Sequence, residues 1–380
     1  MGKRTDMNAT PLSDALPDSP LRMLVALCGA LARRDQAAAR EMLRPGRVDW
    51  TALRQVADRH RLTGYLSAQL HGAGARAGIA PDFLFHARHV YLQQWVRNGQ
   101  LLREMERIAR RLEADRLPYM FFKGPLLANR LYDQLGSRAI HDIDLLIPRS
   151  DGMAGYESAL AALGYRRFSR LLLPRTWSRS WLYQLEYKSD RFTLEPHWAL
   201  QRHPSLRLDT ERMWRERVLL EMPAGAAVPA LSDEYTLLAN LLSIPADLQN
   251  ASLGLRTYFE LYLLWRRFPA SCDWPAFWER RRAERTLRLT RVVLALLQDL
   301  FGAAGLEAPG VLPLPEDARP LVAALGAQLF AIAPSEWRRR QLAIKLFESP
   351  LPVSLLWWSL TLPARALAHP AVTRDRLRRW

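Results

Sequence analysis

Near residue 117 the spacing of apolar side chains changes, and that change limits the folds open to this chain of 380 residues. Upstream, apolar residues recur every three or four positions. Leu101, Met105, Ile108 and Leu112 form one stripe with charge on the other side, the pattern of an amphipathic helix. Downstream, the runs shorten. "PYMFFKG" is an apolar run closed by glycine, "PLLANRLYDQL" places proline in a first helical turn, and "AIHDIDLLIP" is a second run closed by proline. "GMAGYESALAALGYRRF" reads as a helix ending near Gly164, and "SWLYQLEYKSDRFTLEPHWAL" as two strands about a Lys-Ser-Asp turn. After "MPAGAAVPALSDEY", helical spacing returns in segments such as "SDEYTLLANLLSI" and "LRTYFELYLLWRRF". The expected fold class is α+β, with a small mixed-sheet core over 117–230. One helical region covers 21–116, with Ser19 as a cap and Pro20 at the first helical position, and another covers 231–380. Residues 1–20 are polar and non-periodic, read as a disordered tail, and lack the apolar core of a signal peptide.

The second short run carries two negative charges. On a strand, side chains alternate between faces, so Asp142 and Asp144 share one face while Ile143, Leu145 and Ile147 share the other. Two carboxylates roughly 6 to 7 Å apart at their backbones repel each other and lose solvation when buried. A bound Mg²⁺ removes the conflict, because it prefers hard oxygen donors. "TLEPHW" places Thr193, Glu195 and His197 on one face by the same alternation. If that strand lies beside the first, Glu195 completes a three-carboxylate cluster of the kind used for metal-assisted phosphoryl or nucleotidyl transfer. "FFKGPLL" is a strand-to-helix turn. Gly124 admits a close ligand, and the helix start offers free N–H groups and positive dipole for a phosphate. Lys123 adds a charge, and Arg138 and His141 are further phosphate candidates. Singly, each feature has a plain reading: a D-x-D on a surface turn, a semi-buried histidine beside Trp198, an arginine at a helix end. Their order on the expected elements is what points to a site.

The net charge is +16, from 50 Arg and only four Lys, which makes Lys123 the more notable. That balance fits an arginine-biased composition and also admits nucleic acid or another anionic partner, although no aromatic-basic binding signature accompanies it. The two cysteines, Cys28 and Cys272, lie too far apart in sequence for a disulfide framework or zinc pattern, which favours a cytoplasmic location. No transmembrane span is expected. Segment 351–370 is the most apolar, but Pro352, Pro363, Arg365 and Pro370 interrupt it, leaving packing on the body or peripheral membrane contact.

The order Lys-Gly, helix, "R-x-x-x-D-I-D-L-L-I", then "L-E-P-H-W" resembles an uncharacterised bacterial nucleotidyltransferase family within the polymerase-β-like superfamily. "VDWTALRQVADRHRLTGYLSAQL" and "DWPAFWERRRAERTLRLTRVVLALLQDLFG" extend the likeness over most of 21–370. The resemblance implies transfer of an NMP from an NTP, such as ATP, to an acceptor, with release of pyrophosphate. It implies Asp142, Asp144 and Glu195 as catalytic and metal ligands for Mg²⁺, or Mn²⁺ in its place. It puts Lys123, Gly124, Arg138 and His197 on the nucleotide side. A small molecule, sugar, peptide, protein or nucleic acid all stay open as acceptor. A non-catalytic nucleotide- or protein-binding module is the alternative. Two departures stand out. The superfamily usually has Gly-Ser or Gly-Gly where Lys-Gly-Pro stands here. Pro196 replaces a leucine and removes a ladder N–H, so its strand is expected at an edge or a bulge.

Overall fold

The computed structural model describes residues 19–72, 78–148, 153–168 and 183–347, apart from 202, 224, 251, 268–271, 307, 311–313 and 331–335. The expected tail before residue 19 and the segment 351–370 lie outside the described residues. Five helices come first: α1 (Pro20–Ala32), α2 (Gln36–Met42), α3 (Trp50–Arg59), α4 (Thr63–Gly72) and α5 (Pro81–Ala114). Then follow β1 (Met120–Phe122), α6 (Gly124–Leu131), β2 (Asp142–Leu146), α7 (Met153–Ala162), β3 (Arg166–Arg167), β4 (Tyr187–Lys188), β5 (Thr193–His197), α8 (Thr210–Arg215), β6 (Val218–Glu221) and β7 (Ala227–Ala230). The chain continues with α9 (Asp233–Asn250), α10 (Leu255–Arg266), α11 (Trp274–Ala283), α12 (Leu287–Phe301), α13 (Arg319–Phe330) and α14 (Glu336–Lys345). The protein is thus α+β. No helix among the described residues is long and apolar enough to cross a membrane.

Local chemistry sets many helix ends. Ser19 accepts a hydrogen bond from the Arg22 N–H with Pro20 in the first turn, and Asp49 and Asp273 cap α3 and α11 in the same way. At the other end, Arg34, Arg61, Arg116 and Arg285 all have positive φ just past α1, α3, α5 and α11. The Arg61 N–H bonds to Asp58 O and the Leu62 N–H to Ala57 O, closing the last turn in a Schellman motif where glycine is the usual choice.

The seven strands form one mixed sheet in the order β3-β4-β5-β2-β1-β7-β6. Helix α5 lays its stripe on one face. Leu101, Met105, Ile108 and Leu112 are fully buried in one cluster with Phe121, Ile143, Leu145, Ile147 and Leu194. Truncating one of these to alanine would cost about 2–5 kcal/mol. Met120, Phe122 and Leu146 point the other way, into the larger cluster built by helices from both ends of the chain. The sheet therefore stands between two cores.

Strand β5 corrects one expectation. It is interior, with β2 on one side and β4 on the other. Gln184 lies across from His197, and Tyr187 from Leu194, in one continuous register without a bulge. Between them, the Leu185 N–H donates to Pro196 O at 3.0 Å, and the proline has no N–H to return. The missing donor shortens the β4 ladder instead of moving β5 to an edge.

Candidate active site

Strands β2 and β5 run parallel, with Asp142 opposite Thr193, Asp144 opposite Glu195 and Leu146 opposite His197. Paired positions on adjacent strands share a face. Asp142, Asp144, Glu195 and His197 therefore project together on the face carrying Phe122. His197 Nε2 lies 3.1 Å from Asp144 Oδ1 and 3.7 Å from Glu195 Oε2. Gln184 Nε2 donates to Glu195 Oε2 at 2.7 Å. Phe122 packs edge-on against the imidazole, with centroids 4.9 Å apart. Ligand atoms of Asp144, Glu195 and His197 all lie within 4.8 Å of one another. The tightest donor group thus includes His197, and Asp142 stands two residues earlier on β2.

Electrostatics tie the four groups together. Burial, then the charges of Asp144 and Glu195, push the Asp142 carboxyl up to about 7. Burial would also raise Asp144, but the hydrogen bond and charge of His197, with Lys123 and Arg138, hold it below the usual carboxylate value. Burial would lower His197, and its bonds to Asp144 and Glu195 hold it above the ordinary imidazole value instead. Three carboxylates on one face, one of them retaining its proton near neutrality, are a donor set that a hard divalent cation fits.

The turn between β1 and α6 closes one side. Lys123 has φ 57° and ψ −152°, a region that side-chain-bearing residues avoid. Gly124 has φ +42°, and a Cβ there would stand 3.0 Å from Asp142 O and 3.7 Å from Asp144 Oδ2. A side chain at this position would crowd the carboxylate strand, so the turn packs close to it. No side chain caps the first turn of α6, so its leading N–H groups remain available to an anion. The cleft has a volume of about 380 Å³, and Lys123, Gly124, Arg138, Asp142, Asp144, Glu195 and His197 all line it. A hollow of about 600 Å³ beside Pro20, Met23 and Leu53 is larger but mostly apolar, with no comparable group of titratable side chains.

The sequence profile of a family described as "Uncharacterised nucleotidyltransferase" matches residues 46–302. The chain belongs to that nucleotidyltransferase family. No curated protein matches it. The matched stretch includes all seven strands, the carboxylate face and the Lys123 turn.

Within this nucleotidyltransferase, Arg138 is buried and each of its three guanidinium nitrogens donates a hydrogen bond. Nε and Nη2 bond to the two Glu260 oxygens at 2.8 and 3.1 Å, and Nη1 donates to Gly124 O at 3.1 Å. His141 lines the cleft. Burial, helped by Arg61, Arg256, Arg97 and Arg138, pulls its pKa down.

Sequence reasoning missed the far wall. Asn240, Ser243, Asp247 and Asn250 of α9 all line the cleft, on a helix otherwise packed with Leu237, Leu238, Leu241, Leu242 and Leu248. Their three- and four-residue spacing is a polar stripe on a buried helix, and that signal was present in the sequence. Pro245 interrupts the helix beside it. Arg61 and Arg256 also line the cleft, from outside the sheet unit. Nothing in their local sequence distinguishes them among 50 arginines.

Proposed function

We propose that this nucleotidyltransferase is Mg²⁺-dependent and moves an NMP from an NTP to an acceptor hydroxyl or other nucleophile. The observation that carries the reading is the parallel pairing of Asp144 with Glu195, on the face that also holds Asp142 and lines one cleft with the Gly124 turn. Asp142, Asp144 and Glu195 would hold Mg²⁺ through oxygen, and Mn²⁺ would suit the site better if the His197 nitrogen also ligates. Bound there, the metal would supply Lewis-acid stabilisation of charge at the reacting phosphate.

The chain's own groups do the rest. The acceptor oxygen forms a bond to the α-phosphorus while the bond from that phosphorus to the β-bridging oxygen breaks, and pyrophosphate leaves. The acceptor's proton passes to Glu195, whose side chain is 22 % exposed against 10 % for Asp144. Gln184 orients Glu195, and His197 orients Asp144. Lys123 and the Gly124 turn face the nucleotide's phosphates. Arg138, held by Glu260, positions that turn through Gly124 O. The polar stripe of α9 is the wall against which the acceptor would lie. The free thiols Cys28 and Cys272 support a cytoplasmic setting.

The test uses NTPs labelled at the α-phosphate, Mg²⁺ and a host extract. Wild-type protein is expected to label an acceptor and release pyrophosphate. Asp142→Asn and Asp144→Asn are expected to lower the rate by about 10²- to 10³-fold without unfolding the chain. Unchanged labelling by the double variant would sink the reading. Metal-dependent NTP binding without transfer would instead favour a binding module.

A further inference from the structure

The cleft is acidic at one end and basic at the other. Asp142, Asp144 and Glu195 crowd the end over β2 and β5. The rest of the lining carries four cations, Arg61, Lys123, Arg138 and Arg256, against two carboxylates, Glu260 and Asp247. Those two are already engaged. Glu260 takes the forked bond from Arg138, and Asp247 accepts from the Ser252 hydroxyl at 3.2 Å. Among the described residues, neither the Arg61 guanidinium nor the Lys123 ammonium forms a salt bridge, although the charges of both act on Asp247. Arg256 donates Nη1 to Ala139 O at 2.7 Å and holds Nε 3.7 Å from Glu260 Oε1, and its Nη2 makes no hydrogen bond among the described residues.

These cations stand beside the phosphate turn. Arg256 and Arg138 share Glu260, and Arg138 reaches Gly124 O, so a continuous polar chain runs from α10 to the start of α6. Arg61 closes α3 and enters the same cleft from the other helical region. A ligand that bridges the two ends needs one phosphate at the carboxylates and further negative charge beyond it. The tail of a nucleoside triphosphate has that shape and charge, and guanidinium forks match phosphate oxygens.

We propose that Arg61 and Arg256, with Lys123, hold the β- and γ-phosphates of the nucleotide, so that the two helical regions complete its grip. The inference rests on the nucleotidyl-transfer reading. Arg138 is a positioning residue in this arrangement, because each of its guanidinium nitrogens is already tied to Glu260 or to Gly124 O.

Calorimetry of the full chain with tripolyphosphate in excess Mg²⁺ tests the grip, alongside label transfer. Arg61→Gly removes the guanidinium while suiting the backbone, whose φ is 57°, so it should fold at least as stably as wild type. Arg61→Gly and Arg256→Gln are each expected to weaken tripolyphosphate binding by about ten- to a hundredfold. Arg61→Gly should raise KM for the NTP by a similar factor, and Arg61→Lys should restore most of the loss. Mn²⁺ binding without phosphate should not change in Arg61→Gly. Wild-type transfer with unaltered tripolyphosphate affinity and KM in Arg61→Gly overturns this inference alone. Wild-type protein that neither transfers label nor binds an Mg²⁺–NTP overturns the underlying reading with it.

Discussion

Lys123 carries a backbone cost at the turn into α6. Its φ of 57° and ψ of −152° lie in a region that residues with a Cβ occupy at a cost of about 1–3 kcal/mol. Strain of this size persists where surrounding structure imposes it, and here the following residue has no room for a Cβ beside Asp142 O. The ammonium lies 5.4 Å from the Phe122 ring centroid and acts on both Asp142 and Asp144. Stability and charge are therefore opposed at one position. Lys123→Gly is expected to stabilise the fold by about 1 kcal/mol, after allowing for the freer unfolded chain. The same variant should bind Mg²⁺–tripolyphosphate more weakly. Urea midpoints and calorimetry on one preparation would check both, and a drop in midpoint would mean that the lysine charge beside Asp142 and Asp144 outweighs the cost of its conformation. The residue was conspicuous in the sequence because lysine is rare in an arginine-rich chain. Its dihedral angles were not, since a Lys-Gly pair also reads as an ordinary helix start.

Between elements, the ion pair of Arg138 with Glu260 joins the segment before β2 to α10. Both side chains are buried, and Tyr132 also donates to Glu260 Oε1 at 3.1 Å. Removing one member of such a pair leaves a buried charge without a counterpart. Glu260→Ala is expected to cost about 3–5 kcal/mol, and Arg138→Met with Glu260→Leu should recover much of it. Chemical denaturation of the wild type and the two variants measures this, and a cost well under 1 kcal/mol for Glu260→Ala would show the pair to be dispensable. This pair also marks where sequence reasoning stopped. Strand alternation alone put Asp142 with Asp144 and Glu195 with His197, because a period of two leaves no other choice of face. Whether β5 adjoins β2, and in which register, depends on long-range pairing that no local pattern encodes. Pro196 even argued for an edge, since a missing N–H gives no hint that the neighbouring strand is the one interrupted. Nothing beside Arg138 in the sequence signals its partner Glu260, which lies 122 residues away.

Across the whole molecule, the helical region after the sheet is joined to earlier parts of the chain at seams that contain histidines. His60, just past α3, accepts the Leu255 N–H at 3.0 Å through Nδ1, and so caps α10 from 195 residues away. His203 accepts the Ser205 N–H at 3.3 Å and stacks on Phe347 at 4.1 Å. The apolar periodicity announced helices on both sides of the sheet but not which helix end meets which, because a cap supplied from so far away leaves no trace beside α10. Both imidazoles must be neutral at Nδ1 to accept these bonds. Burial pulls each pKa from 6.5 down to about 4, and at His60 the charge of Arg59 adds to it. Between those values the unfolded chain binds protons that the folded chain refuses. The contribution of these sites is therefore complete above pH 6.5 and is lost as pH falls toward 4, by at most about 3 kcal/mol for each histidine. Carboxylates titrate over part of the same range, so the expected result is a difference. Urea midpoints of the wild type should fall between pH 7 and pH 5 more steeply than those of the His60→Asn, His203→Asn double variant, in which the amide oxygens stay neutral. Parallel pH profiles for the two proteins would show that these seams do not sense protons.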